Sequence, residues 1–330
     1  MKHLLLLLTL CCALLFSCHS TPDNNAEPAL ADVPAFSADS AFSYIVDQCD
    51  LGPRVPGSDA HLACSDYIYN RFLSFGLWPA KQRVRVRRYD GAEFECYNIA
   101  AVDTTAPSDR PRLLLAAHWD TRPWADNDPD PANHHLPLLG ANDGASGVAL
   151  LLEVARALSV YRGEAAPHYA VDFLCFDAED SGLPEWDTDY RGNSTPTWCL
   201  GSQAWASDPH STDYQAAILL DMVGGHGSRF YKEGFSMRYA PELCERVWAA
   251  AARAGYSAFF PTGTSGYVTD DHVPVNAQTP LRMIDIVPYY EGGNNSFAPT
   301  WHTLQDTPQN IDPLTLRAVG QTLLEFIFNN

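Results

Sequence analysis

The stretch RLLLAAHWDTRP, residues 112–123, decides the fold. Its apolar run has no polar alternation, which fits a strand buried on both faces of a sheet. The run stops at His118, and His118-Trp119-Asp120 puts an imidazole and a carboxylate at the strand's carboxyl end. Two further segments repeat this design. Residues 168–176 form an apolar strand running into Asp177-Ala178-Glu179-Asp180, and residues 216–223 form another carrying Asp221. Between the first two lies GANDGASGVALLLEVARAL (140–158), where a helix is expected over 142–158 with Val148, Leu151, Leu152, Ala155 and Leu158 sharing one face.

Outward from this centre, helical spacing is expected over 36–49, 60–75, 241–254 and 313–328, and strands over 83–89, 93–102 and 281–287, the first two as a hairpin. Strands alternating with helices predict an α/β fold: a single domain over 36–330 with a mixed, mostly parallel sheet and helices on both faces. The irregular segments 119–140, 181–198 and 261–279 sit beside strand ends, where open α/β sheets bind ligands.

The chain has 330 residues and a formal net charge of -19, which disfavours a polyanionic partner such as nucleic acid. Lys2 and His3 precede an apolar run over 4–16, broken only by Thr9. That is the form of a signal peptide and too short for a membrane span. It ends Leu15-Phe16-Ser17-Cys18, similar to a bacterial lipobox. The expectation is a signal over 1–17, a lipidated Cys18, and a polar, proline-containing tether over 18–35. The protein would then be an exported, periplasm-facing bacterial lipoprotein that meets the membrane only through its anchor. An ordinary signal peptide is the alternative. Six cysteines remain beyond Cys18; none has C-x-x-C spacing, which argues against a cysteine zinc site, and Cys175 reads as a buried thiol.

Separate strand ends and loops thus bring His118, Asp120, Asp143, Glu179, Asp180, Asp221 and the late His302 towards one edge of the sheet. Singly, each has a plain reading: Asp143 as a helix-start residue, Glu179-Asp180 as solvated charge, His302 as a core histidine. Collected at one edge, the carboxylates would repel one another unless a cation neutralised them. Oxygen and nitrogen donors without thiolate suit catalytic zinc. An adjacent acid pair allows one side chain for metal and one for proton transfer. The acidic run Asp126-Asn127-Asp128-Pro129-Asp130 is not an EF loop, because Pro131 stands at its sixth position and Pro137 at its twelfth.

Taken in order, AAHWDTRP, GANDGASGVALLLEVARAL, FDAED, ILLDMVG, TDDHVP and WHTLQDT resemble the glutaminyl-peptide cyclotransferases of the animal type, in the zinc-aminopeptidase superfamily. The resemblance spans roughly 36–330. It implies one zinc per chain, held by Asp143, Asp180 and His302, with Glu179 as proton shuttle, Asp221 and Asp271 completing a hydrogen-bonded network, and Asp271 holding the leaving amide nitrogen. It also implies an apolar pocket walled by Trp186 and Trp301, and peptides or proteins with N-terminal glutamine as substrates. One position departs: the metal-binding acid of the pair is commonly Glu in the animal enzymes and is Asp180 here. Two alternatives stay open. A di-zinc aminopeptidase would use His118 and Asp221 for a second ion bridged by Asp143, with Asp120 orienting; a non-enzymatic binding domain is the other.

Overall fold

The computed structural model describes residues 30–208 and 213–330. The expected signal segment 1–17, Cys18 and most of the tether lie outside the described residues. Ala31–Asn330 form one compact unit. It begins earlier than the expected boundary at 36, because the last tether residues are tied down. The Ala31 N–H donates to Asn329 Oδ1 (2.6 Å), and Gln321 bridges Pro34 and Phe36.

Six strands form one sheet in the order β1-β2-β4-β3-β5-β6. They are β1 (Trp78–Arg87), β2 (Glu93–Val102), β3 (Arg112–His118), β4 (Ala170–Phe176), β5 (Tyr214–Leu220) and β6 (Met283–Ile286). β3, β4, β5 and β6 run parallel, while β1 and β2 make an antiparallel hairpin joined antiparallel to β4. β1 starts five residues before the expected 83, since its pairing with β2 runs its whole length; Pro79 is tolerated because β1 is an edge strand.

Residue alternation along the central strands splits the core in two. Leu113, Leu115, Ala117, Ile218 and Leu220 face the larger layer, with α1 (Ala38–Asp50), α2 (Asp59–Ser74), α3 (Ala145–Val160), α6 (Pro241–Arg253) and α8 (Pro313–Phe328). Leu114, Ala116, Ala217 and Leu219 face the smaller one, with α4 (Leu200–Ala206) and α7 (His272–Gln278). The short α5 (Gly234–Tyr239) packs beside β6. Among the described residues no helix is long and apolar enough to cross a membrane.

Helix starts follow local chemistry. Ser37 and Ser58 cap α1 and α2 through their hydroxyls, and Asp312 caps α8 ahead of Pro313. α3 begins at Ala145 rather than 142 because Asp306 draws the preceding backbone out of the helix. Its carboxylate accepts the N–H groups of Asn142 (2.7 Å) and Asp143 (3.0 Å). Asp143 is therefore not a capping residue, and its side chain is free for the site. Gly147 lets α3 press onto the sheet: a Cβ there would lie 2.5 Å from the Leu220 carbonyl oxygen and 2.8 Å from Ala117 Cβ.

Candidate active site

The parallel strands end on one side, and β3 lies between β4 and β5, so the segments after these strands diverge around a cleft. The cleft holds about 220 Å³ and is lined by Asp143, Glu179, Asp180, Asp221, Asp270, Trp198, Phe297, Trp301 and His302, among others.

Asp143, Asp180 and His302 meet at its floor. His302 Nε2 stands 3.2 Å from Asp180 Oδ1 and 3.7 Å from Asp143 Oδ2, and donor atoms of all three lie within 4.8 Å of one another. Asp180 Oδ2 is buried and has no hydrogen-bond partner. A buried carboxylate oxygen left bare beside two other donors fits a divalent cation, which would take up the negative charge. The donor set, two carboxylates and an imidazole, suits zinc with a position left open.

A second group adjoins the first. The His118 Nε2 lies 3.0 Å from Asp143 Oδ1 and 3.2 Å from Asp221 Oδ1, while its Nδ1 lies 3.4 Å from Asp120. Burial alone would lower the His118 pKa; Asp120, Asp143 and Asp221 override it and hold the ring well above the usual histidine value. Gly144 is required beside it, since a Cβ there would fall 2.7 Å from the ring. Asp120 has a second duty. Its two oxygens accept the backbone N–H groups of Glu179 (3.0 Å) and Asp180 (3.2 Å), which pins the acid pair to the β3 end.

Glu179 is not in either donor group. Its carboxyl shares a pocket with Asp270, whose oxygens come within 4.8 Å, and it accepts from the Cys199 thiol at 3.3 Å. Burial, then Asp270, Asp180 and Asp271, push its pKa well above the ordinary glutamate range. Asp221 is pushed up to about 8, by burial and by Asp270.

Two expected positions change. Asp271 does not line the cleft; its carboxylate is fully buried and accepts from Ser202 Oγ at 2.5 Å. Asp270 lines it instead, because α7 starts at His272 and the two preceding residues point to different sides. Trp186 likewise leaves the lining. Its ring packs on Trp124 (5.7 Å between centroids) and His135 (4.6 Å). Trp198 lines the cleft, parallel to the His302 ring, while Trp301 stacks on that ring at 3.8 Å as expected of a pocket wall. The loop 181–198 is long enough to return to the cleft at its far end, which the position of Trp186 alone could not reveal. Trp198 directly precedes the Cys199-Leu200-Gly201-Ser202 segment that opens α4, and that adjacency was the available signal.

Comparison with known proteins agrees with this geometry. The family described as peptidase family M28 matches residues 98–327. A Bos taurus glutaminyl-peptide cyclotransferase-like protein is 26% identical, over 83% of this chain and 71% of its own. The crystal structure of Bacteroides thetaiotaomicron glutaminyl cyclase bound to N-acetylhistamine superposes with a TM-score of 0.84 at 45% identity, covering 91% of this chain and all 100% of that one. A structure from the same species described as a leucine aminopeptidase precursor gives 0.83 at 44%, with coverage of 91% and 100%. The chain therefore belongs to peptidase family M28 and, within that zinc-aminopeptidase-like superfamily, groups with the glutaminyl cyclases.

Proposed function

We propose that this enzyme cyclises N-terminal glutamine of peptides and proteins to pyroglutamate with release of ammonia, using one zinc ion held by Asp143, Asp180 and His302. The observation that carries the reading is Glu179: a buried acid at the cleft floor, next to the metal donors but outside their set. Bound zinc would supply a Lewis acid for the γ-carbonyl oxygen.

The chain's own residues do the rest. Trp198, Trp301 and Phe297 wall a cavity sized for one small side chain and hold the γ-amide near the α-amine, so attack is intramolecular. The α-amine, whose ordinary pKa is about 7.7–8.0, is partly uncharged near neutral pH. As its nitrogen bonds to the side-chain amide carbonyl carbon (Cδ), Glu179 takes a proton from it and delivers one to the amide nitrogen, which leaves as ammonia when its bond to Cδ breaks. No water is consumed. The raised pKa of Glu179 suits a group that must both accept and return a proton. Asp270, beside it, is placed to hold the leaving nitrogen, the part expected of Asp271.

The di-zinc aminopeptidase reading draws on the second donor group, His118, Asp143 and Asp221, and on the aminopeptidase name of one close structure. Against it, the His118 ring already bridges the two carboxylates, leaving them partnered without a second ion. Incubation with a Gln-Xaa peptide separates the readings. Cyclisation yields a peptide lighter by one ammonia; hydrolysis yields free glutamine.

The N-terminal sequence supports export as a lipoprotein anchored through Cys18, where signal-peptide cleavage continually creates new N-termini for capping. Labelling with a fatty-acid analogue should be lost in Cys18→Ala; retained label would refute the anchor.

A further inference from the structure

Arg122 and Asp126 lie between β3 and α3 and are almost fully enclosed, at 1% and 5% exposure. They meet as a two-point fork, Arg122 Nε donating to Asp126 Oδ1 at 2.7 Å and the second terminal nitrogen to Oδ2. A buried ion pair is expensive to assemble and adds little stability over an apolar pair, so its other contacts matter. The remaining guanidinium donors reach the Asp180 backbone oxygen (3.1 Å), Asp180 Oδ1 (3.4 Å) and the Leu183 oxygen (3.4 Å). The guanidinium carbon lies over the Trp198 ring, 4.7 Å from its centroid.

Asp126 reaches the other side of the same centre. Its Oδ2 accepts the Glu185 N–H at 3.0 Å, and its Oδ1 faces His302 Nδ1 at 3.5 Å. That nitrogen is buried and has no hydrogen-bond partner among the described residues, and Asp126 is the carboxylate that faces it. The Asn127 N–H donates to the His302 carbonyl at 3.0 Å, which fastens the two segments together. A neutral imidazole carries one proton. For Nε2 to offer its lone pair to an ion, that proton must sit on Nδ1, and a buried N–H needs an acceptor.

We propose that Arg122 and Asp126 act as one positioning unit, Arg122 gripping Asp180 and Asp126 fixing His302 as its Nδ1–H tautomer, so that two of the three donors face the ion together. This rests on the metal reading above. Neither residue lines the cleft, so both act through the donors rather than on substrate. A planar fork is needed to hold Asp126 and reach Asp180 at once, which a lysine ammonium cannot reproduce.

The test is zinc affinity by chelator competition for wild type, Asp126→Asn and Arg122→Lys, with the thermal midpoint of each metal-free protein as a folding control. Asp126→Asn should weaken zinc binding about 10- to 100-fold. Arg122→Lys should weaken it less. Both should recover most of the wild-type kcat at saturating zinc. Nitrogen-15 histidine spectra of zinc-loaded wild type should show His302 protonated on Nδ1, a measurement that needs no variant to fold. Wild-type affinity in a folded Asp126→Asn or Arg122→Lys protein, or a His302 proton on Nε2, would overturn the unit while leaving the metal site standing. Wild type that binds no zinc would overturn the metal reading itself, and the unit with it.

Discussion

Glu179 and Asp180 are adjacent in sequence and face different tasks, and substitution separates them. Glu179→Gln should retain its zinc while kcat falls by about 10²-fold or more; Asp180→Asn should fail first in metal content. Activity in Glu179→Gln near the wild-type rate would remove the proton carrier from the mechanism. The tryptophans divide in the same way. Trp198→Ala should raise KM for Gln-peptides, whereas Trp186→Ala, one layer back against Trp124 and His135, should change KM far less. Side-chain chemistry and chain order exposed the acid pair and His302 at this scale. They did not reveal which of Asp270 and Asp271 faces the cleft, since that depends on where α7 begins. Nor did they reveal that the 181–198 loop returns Trp198 to the cleft.

Among the elements, α3 and the strands beneath it set the geometry of the site. Their continuous apolar runs made β3, β4 and β5 legible, and the single helical face of α3 did the same for that helix. The start of α3 was misread by three residues because Asp306, distant in sequence, competes for the backbone N–H groups of Asn142 and Asp143. The close approach at Gly147 predicts that Gly147→Val destabilises the protein by about 1–3 kcal/mol, through overpacking against Leu220 and Ala117. Chemical denaturation would measure it; an unchanged midpoint would mean that α3 is not seated as described. Asp120→Asn should loosen the Glu179–Asp180 turn, lowering kcat while the fold persists.

Across the whole molecule, buried acids govern the response to pH. Burial alone would raise Glu233, but the His272 ring and the backbone N–H groups of Phe235 and Val268 bring it down to about 2. A carboxyl depressed in the folded state stabilises the protein above its unfolded pKa, about 4.3. That contribution, roughly 3 kcal/mol at most, is lost as pH falls from there towards 2. Glu233→Gln should therefore be less stable at neutral pH and show a flatter loss of stability over that window. Asp126, held low by Arg122 despite its burial, keeps part of the acid sensitivity in place. An unchanged acid limb in Glu233→Gln would contradict this assignment. The mixed, mostly parallel sheet with helices on both faces was legible from strand and helix alternation; the strand order β1-β2-β4-β3-β5-β6 was not, since it rests on pairings between segments distant in the chain. The tie of Ala31 to Asn329 was not, because it joins opposite ends of the chain through one side-chain amide.

The most direct measurement counts zinc per chain and identifies the product from one Gln-peptide on the same purified sample. The account predicts one zinc, free ammonia and a pyroglutamyl peptide. Two tightly held zincs with free glutamine as the product would contradict it.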